Sequence, residues 1–518
     1  MRLDELTAAE VPGLRAVSPT PDPVELTGLA YDSRHVQAGT LFFCVAGYRR
    51  DGHDFAAGAV AAGAAGLVVE RPLGLGVPEL LVESSRAAMG PIAARFYGEP
   101  TSELRVVGVT GTNGKTTTTH LVRALLEAGG ERCGLLGTVE SQVAGIRRPA
   151  TRTTPEAIDL QADFRAMLDG GERYCAMEVS SHALALGRAD AVCFSAAVFT
   201  NLTQDHLDFH DTMEDYFQAK RLLFVPGTPA AKSAVVNAAT GGSTGEVAGA
   251  GAAPGVAVVN LDDPYGRRLA AELDDVVTFA LDADADYCAR DVRTDLAGSH
   301  FELQTPAGAR TLSLPLPGRF NVSNALGALA ATHALGADLD TLVAALERGV
   351  RVPGRVEPVE EGQGFAVLVD YAHTPDSLRN VLSTAHEVGH GRVICVFGAG
   401  GDRDRGKRPL MGEIGARLAD VLLVTSDNPR SEDPEAIIAE IMAGASSAPR
   451  PPGAPPVAAE VDRRVAIERA VALAERGDVL VIAGKGHEQG QELAGGVKVP
   501  FDDVTVAREA LRTGTRVG

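Results

Sequence analysis

Residues 108–119 read GVTGTNGKTTTT, between an apolar run at Leu104–Val109 and a helix-like stretch. Strand, glycine-rich loop, Lys-Thr and helix in that order make a phosphate-binding loop. Gly108, Gly111 and Gly114 let the backbone curl so that its N–H groups approach phosphate oxygens. Lys115 adds a positive charge, and the Thr116 hydroxyl can ligate Mg²⁺. A helix beginning near Thr116 aims the positive end of its dipole at the same spot. The usual pattern, G-x-x-x-x-G-K-[ST], asks for glycine at position 109, where this chain has Val109. The bland alternative is a glycine turn that happens to precede a lysine, and the order of elements argues against it.

Outward from this loop, short apolar runs alternate with helical stretches. That alternation predicts an α/β chain whose central sheet is mostly parallel, with helices on both faces. The 518 residues divide into three expected domains. Residues 1–103 form a smaller α/β unit, with strands at 41–47, 66–70 and 79–83 and a helix over 56–65. Residues 104–350 hold the phosphate loop and strands at 175–180 and 196–202. The Pro/Gly break RVPGR (351–355) opens a Rossmann-like unit, 351–518, with strands at 366–372, 392–398, 421–425 and 478–484. Segment 239–256 is Gly/Ala-rich and lacks apolar periodicity, so a flexible surface insertion is expected. AVVN at 234–237 and again at 257–260 brackets it. A second segment, 446–456, reads as extended or disordered.

Composition excludes several classes. A net charge of −20 argues against nonspecific nucleic-acid binding, which needs a basic surface. No run has the apolar length of a membrane span, and the first residues lack the pattern of a signal peptide. The six cysteines form no CxxC pair, which suggests buried, reduced thiols in a cytoplasmic protein.

Further chemistry gathers at strand ends. Glu178 closes CAMEVSS, downstream of the phosphate loop, where an acid can bind the nucleotide's Mg²⁺. TNLTQDHLDFH offers Asp205, His206, Asp208 and His210, and spacing alone does not choose among them. Lys220 sits among apolar residues of the next helix, where a snorkelling side chain is the ordinary reading. Asn321 and Asn324 at a helix start suit either an adenine edge or capping. Arg355 lies just past the 351 break, placed to reach a phosphate from another domain. Loops at 397–409, 426–430 and 483–488 carry Arg403, Asp427, Asn428, Arg430, Lys485 and Glu488, and such a mixture suits a zwitterionic ligand.

These motifs together resemble the Mur ligases, ATP-dependent amide-forming enzymes of peptidoglycan synthesis. YDSR (31–34), GTNGKTT (111–117), TTP (153–155), MEVSSHALALGR (177–188), TNLTQDHLDFH (200–210), AKRLLF (219–224), GRFNVSNALGALA (318–330), VDYAHTPD (369–376), GAGGDRDRGKRPLMG (398–412), DNPR (427–430) and GKGHE (484–488) occur in the family's order. The resemblance is to the branch that adds meso-2,6-diaminopimelate to UDP-MurNAc-L-Ala-D-Glu. It implies that Gly111, Thr112, Asn113, Gly114, Lys115, Thr116, Thr117, Asn321, Asn324, Arg355 and Asp370 hold ATP. Thr116, Glu178, His206 and a carbamylated Lys220 would hold two Mg²⁺ ions, with Lys115, Glu178, His206 and Lys220 as the catalytic set. Asp32, Ser33, Gly47, Thr153, Thr154, Ser180 and Arg188 match the nucleotide-sugar-peptide site. Arg403, Asp427, Asn428, Pro429, Arg430, Gly484 and Glu488 match the diaminopimelate site.

By the same resemblance, residues 1–103 bind the nucleotide sugar, 104–350 bind ATP and 351–518 bind the amino acid. A cytoplasmic monomer is expected. DNPR is the pattern tied to diaminopimelate, whose second carboxylate needs an arginine; a lysine substrate would meet repulsion from Arg430. Leu186 and Tyr48 depart from residues that some members carry there, Gln and His respectively. The implied reaction runs through an acyl phosphate, without a side-chain nucleophile and with no certain base for the amine, His206 or a phosphate oxygen being candidates. The rival readings are a lysine-adding ligase, a folylpolyglutamate synthase, a non-catalytic nucleotide-binding regulator and a motor-type NTPase. DNPR and the N-terminal unit disfavour the first two, and intact Lys115, Glu178, His206 and Lys220 the regulator. The acidic charge disfavours a nucleic-acid motor.

Overall fold

The computed structural model describes residues 1–7, 11, 13–17, 23–47, 50–225 and 253–514. Tyr48 and residues 239–252 of the expected insertion lie outside them. Three main sheets carry the chain. The central sheet has eleven strands, and Arg105–Thr110 lies inside it between Phe194–Phe199 and Tyr174–Glu178. From Tyr287–Asp295 across to Cys133–Leu136 every neighbouring pair is parallel. The strand Arg105–Thr110 is buried on both faces, which is why it reads as a nearly unbroken apolar run. Val107 and Val109 face one core with Leu121, Leu125 and Leu326, while Val106 faces the other with Phe164, Met177 and Phe199. After Arg105–Thr110 the chain crosses to one side of the sheet and later returns on the other, at Phe194–Phe199. That reversal opens the crevice in which doubly wound sheets bind ligands.

The helix Lys115–Ala128 buries Leu121, Val122, Leu125 and Leu126. Their spacing puts all four on the sheet side, and each contributes roughly 1.5–3 kcal/mol by burial. Its N-cap is Gly114, with no side-chain cap and no acid in the first turn. The first-turn N–H groups therefore lack the side-chain acceptor that a helix start usually has, as an anion site requires.

The N-terminal sheet has five strands and the C-terminal sheet six, each mostly parallel and with a core on both faces. Ala157 and Ile158 of the helix Ala157–Asp169 join the N-terminal sheet's core. In the C-terminal sheet, Ala366–Asp370, Val479–Ala483, Val393–Phe397 and Val421–Thr425 lie side by side. The loops after them are consequently neighbours.

Several expected elements need correction. Strands end sooner than their apolar runs: 41–47 stops at Phe43, 196–202 at Phe199 and 366–372 at Asp370. The 56–65 helix stops at Ala61, and Ala64 already belongs to the next strand. Ser446 and Ser447 finish the helix Pro434–Ser447 rather than opening an extended segment. Cys193 is exposed, whereas the other cysteines are buried, and all six are free thiols. Antiparallel strands at both edges of the central sheet escaped the sequence reading, because their polar, exposed positions dilute the apolar signal. Among the described residues no helix is long and apolar enough to cross a membrane.

Candidate functional site

The strand runs through Val109 to Thr110, so only residues 111–114 form the loop. This explains the misplaced glycine: Val109 is a fully buried strand residue. Gly108 also belongs to the strand, and a side chain there would meet the Phe194 ring at 2.6 Å. Its role is packing, which corrects its assignment to the loop. Gly111 and Gly114 do need to be glycine. Both have positive φ, and a Cβ would strike Thr200 Oγ1 at 1.9 Å and Asn324 Oδ1 at 2.2 Å respectively.

Two lysines converge beneath this loop. Lys115 Nζ donates to the carbonyls of Gly111 at 2.8 Å and Thr112 at 2.9 Å. Lys220 Nζ donates to the same Gly111 carbonyl at 2.8 Å and lies 4.6 Å from the centre of the Tyr216 ring. Lys220 is 1% exposed, which rules out the snorkelling reading. Burial pushes its amine well below the ordinary lysine range, and Lys115 adds to the shift. Lys115 is also lowered by burial, while Glu178 and Asp205 oppose the change.

Asp205 joins this pocket to the C-terminal unit. Its carboxylate lies 3.4 Å from Lys407 Nζ, 3.4 Å from His206 Nε2 and 3.8 Å from His373 Nε2. Burial works against its charge, yet His206, Lys407 and His373 outweigh burial and hold the carboxyl far below the usual range. His206 has a left-handed backbone, φ 56°, a conformation uncommon outside glycine that recurs at functional positions. His210 instead turns to Ser181 Oγ at 2.9 Å and stacks on Tyr216. Glu178 is buried, and its carboxylate accepts from the Thr138 N–H at 2.7 Å and the Thr138 hydroxyl at 3.0 Å.

From across the cleft, Arg355 Nη2 donates to Thr116 Oγ1 at 2.8 Å. Asn113 Nδ2 likewise donates to Asp376 at 3.0 Å. Asn113, Gly114, Thr117, Asn324, Arg355 and Asp370 line one small cavity of about 100 Å³. Burial raises the Asp370 carboxyl, and Arg355 opposes that shift. Asn321 does not join them. Its Nδ2 donates to Pro317 O at 2.8 Å and its Oδ1 accepts from Asn324, so it serves the helix start.

The residues matched to the nucleotide sugar fall into two groups. Thr154 Oγ1 donates to Glu178 O at 2.9 Å and accepts from the Ser180 N–H at 3.1 Å. Arg188 Nη1 reaches Thr154 O at 3.3 Å, and Thr153 meets Thr138. Asp32 is engaged with Arg34 through its side chain and N–H, which draws the Asp32 carboxyl down to about 2. Ser33 follows it in the same 3₁₀ turn, and Gly47 bonds to Arg50 O. Among the described residues no hydrogen bond brings Asp32, Ser33 or Gly47 to the first group; the N-terminal unit reaches it through Glu156, which pairs with Arg86 at 3.3 Å and with Arg188 at 3.1 Å.

A cavity of about 980 Å³ opens beside Thr138, Tyr371, Asn428, Arg430 and Glu488. Lys485, fully buried, donates to Asn428 Oδ1 at 2.9 Å and Glu488 Oε2 at 3.0 Å. Burial opposes charge on Asp427, but Lys485 and Arg463 hold its carboxyl below the ordinary value. A Cβ on Gly484 would meet Asp427 at 2.5 Å. Arg403 bonds only to Asp402 O among the described residues. Sequence reasoning missed the supports behind this cleft. Arg463 and Asp503 form a fully buried pair whose guanidinium also donates to Ala483 O, and Arg408 ties Glu432, Glu440 and Gly400 O together. Lys407 stood in a recognised motif, but nothing in its spacing pointed to Asp205.

Two of the residues expected to hold magnesium fit the ion by type, and a third is a softer donor. Thr116 and Glu178 are oxygen donors, and His206 supplies a ring nitrogen. Among the described residues no three His, Cys, Asp or Glu side chains form a ready cage. Mg²⁺ does not need one, because it is usually held by one or two carboxylates plus substrate phosphates and water.

Family models match most of the chain. The Mur ligase family, catalytic domain, covers residues 25–97; the Mur ligase middle domain covers 109–246 and 245–332; the Mur ligase, glutamate ligase domain, covers 354–486. The UDP-N-acetylmuramoyl-L-alanyl-D-glutamate–2,6-diaminopimelate ligase of Geobacillus kaustophilus is 46% identical over 498 residues, 94% of this chain and 95% of that protein. The protein of the same name from Streptomyces coelicolor is 44% identical over 99% of this chain and 97% of its own. A solved structure of a ligase of that name superposes with a TM-score of 0.66 at 32% identity, covering 99% of each chain. The folylpolyglutamate synthase of Mycobacterium tuberculosis shares the fold, at TM-score 0.58 and 20% identity over 83% of this chain and 94% of that one.

Proposed function

The chain belongs to the Mur ligase family, and from that premise we infer that it is an ATP-dependent ligase of peptidoglycan synthesis. It joins meso-2,6-diaminopimelate to the D-glutamate γ-carboxylate of UDP-MurNAc-L-Ala-D-Glu. The observation that carries the reading is the Arg355–Thr116 contact. It brings the phosphate loop and the C-terminal unit, with its amino-acid cleft, to one place. The domains are taken as 1–103 for the nucleotide sugar, 104–350 for ATP and 351–518 for the amino acid. The protein is proposed to act as a cytoplasmic monomer.

The γ-carboxylate attacks the γ-phosphate of ATP, giving an acyl phosphate and ADP. The diaminopimelate amine then adds to the acyl carbon and gives up a proton, and the tetrahedral intermediate expels phosphate to leave the amide. Lys115 turns from the Gly111 and Thr112 carbonyls to the phosphates, and the uncapped turn at Gly114 offers its N–H groups. Lys220, whose amine burial shifts toward the neutral form, adds its nitrogen to CO₂ and releases a proton, leaving a carbamate. Thr116, Glu178, His206 and that carbamate would hold two magnesium ions, which supply positive charge against the crowded phosphate and carboxylate oxygens. Asn113, Gly114, Thr117, Asn324, Arg355 and Asp370 enclose ATP; Asn321 shapes the helix start beneath it. A nucleotide needs more than the present 100 Å³, since ligand pockets run to roughly 300 Å³ or more, so Arg355 gives way as ATP enters. Thr153, Thr154, Ser180 and Arg188, with Asp32, Ser33 and Gly47, bind the nucleotide sugar. Arg403, Asp427, Asn428, Pro429, Arg430, Gly484 and Glu488 receive diaminopimelate.

Phosphate release by the purified protein with ATP, Mg²⁺ and UDP-MurNAc-L-Ala-D-Glu tests this. Release is expected with diaminopimelate and not with lysine or without an amine. Equal release with lysine would replace the proposed substrate, and release independent of any amine would reject the ligase reading.

A further inference from the structure

The hairpin Gly490–Glu492 with Lys498–Pro500 forms one wall of the 980 Å³ cleft and belongs to no motif assigned above. Its contacts return to the 427–430 loop. Gln491 Nε2 donates to Asp427 O at 2.6 Å, and the Glu492 N–H donates to Asn428 Oδ1 at 2.9 Å. The Arg430 N–H donates to Glu492 O at 3.1 Å, which secures the left-handed backbone of Arg430, φ 51°. Its side chain is held from two sides: Nε donates to Glu492 Oε2 at 3.0 Å and Nη1 to Gly401 O at 2.7 Å. Among the described residues Nη2 has no acceptor.

We infer that Glu492 is a positioning residue that sets amino-acid specificity, by locking the Arg430 guanidinium so that Nη2 is left for a ligand carboxylate. The inference rests on diaminopimelate being the amine donor. Stability does not explain the pair, because its side chains are 21% and 33% exposed and such ion pairs contribute little. Orientation does. A free arginine has several donor edges and many rotamers, whereas this one has two of its nitrogens committed before a ligand arrives. Glu492 also cancels part of the arginine's charge. Binding then depends on hydrogen-bond geometry with a carboxylate, not on a general positive potential, and a side chain ending in ammonium alone finds no partner there.

The test compares wild type, Glu492→Ala, Glu492→Gln, Arg430→Ala and the Glu492→Ala/Arg430→Ala double variant. KM is measured for diaminopimelate, for ATP and for the nucleotide sugar, alongside the melting temperature. Glu492→Ala is expected to raise the diaminopimelate KM about tenfold, leaving the other KM values and the melting temperature unchanged. Glu492→Gln falls between, because its amide oxygen still accepts from Nε. In the Arg430→Ala background, Glu492→Ala adds nothing. An unchanged diaminopimelate KM in Glu492→Ala overturns the inference, as does an effect that persists without Arg430. A general loss across all substrates with a lower melting temperature overturns it too. Wild type that releases no phosphate with diaminopimelate overturns the ligase reading and this inference with it; an active wild type with a normal Glu492→Ala overturns this inference alone.

Discussion

The lysine pocket beneath Gly111 and the cleft around Arg430 handle charge in opposite ways. In the first, two amines share one carbonyl, and burial drives Lys220 toward its neutral form. In the second, charges are matched by opposite charges, Lys485 with Asp427 and Glu488 and Arg430 with Glu492, beside a 980 Å³ opening. Burial favours the neutral form of an amine, whereas matched ion pairs keep groups charged and aimed. The pocket is thus suited to chemistry and the cleft to recognition.

The sharpest way to break this contrast is at Lys220. Lys220→Ala is expected to lower turnover by about 10³-fold or more, with bicarbonate restoring part of it; full activity in a phosphate-release assay would remove the carbamate from the mechanism. Recognition should fail more narrowly. Arg430→Lys is expected to raise the diaminopimelate KM by about 10- to 100-fold while ATP binding holds, because an ammonium cannot reproduce the guanidinium's geometry. Equal loss toward both substrates would erase the division of labour.

The smallest effect concerns stability. His210 is 1% exposed, and burial lowers it to about 3, with His182 and Lys220 adding to the shift. The unfolded chain therefore takes up a proton that the folded chain refuses between pH 6.5 and about 3. The contribution of His210 is fully present above pH 6.5 and is lost as pH drops through that window. His210→Gln should flatten this slope, narrowing the melting-temperature difference between pH 7 and pH 5 by about 2 °C or more. The depressed Asp205 carboxyl loses stability only below its ordinary value of 3.8, so it does not mask the comparison. An unchanged slope would mean that His210 is not shielded in the folded protein.

Legibility in the sequence followed how local each feature is. Lys115 and Thr116 are adjacent to the glycines that shape their loop, so a short string contains the whole device. Gly108 was misread because a glycine in a loop and one packed under a phenylalanine look alike until Phe194 is placed above it. Asn321 carries the same ambiguity, since capping and ligand binding use the same donor and acceptor, and in this structure its amide bonds to Pro317 O at the helix start. The edge hairpins went unseen because their half-exposed strands carry a weak apolar pattern. The hairpin that holds Arg430 carries little apolar signal of its own, and its importance lies in contacts 62 and 64 positions away.

By itself the sequence determined the α/β alternation, the phosphate loop and the set of motifs that mark the family, because each is written in neighbouring residues and regular periods. Only the tertiary structure decided which lysines are buried, which arginine reaches Thr116 and which glutamate holds Arg430. Those outcomes depend on residues far apart in the chain meeting at a place where water is excluded or a partner supplied. Side-chain type sets what a group can do, and burial and partners set whether it does it.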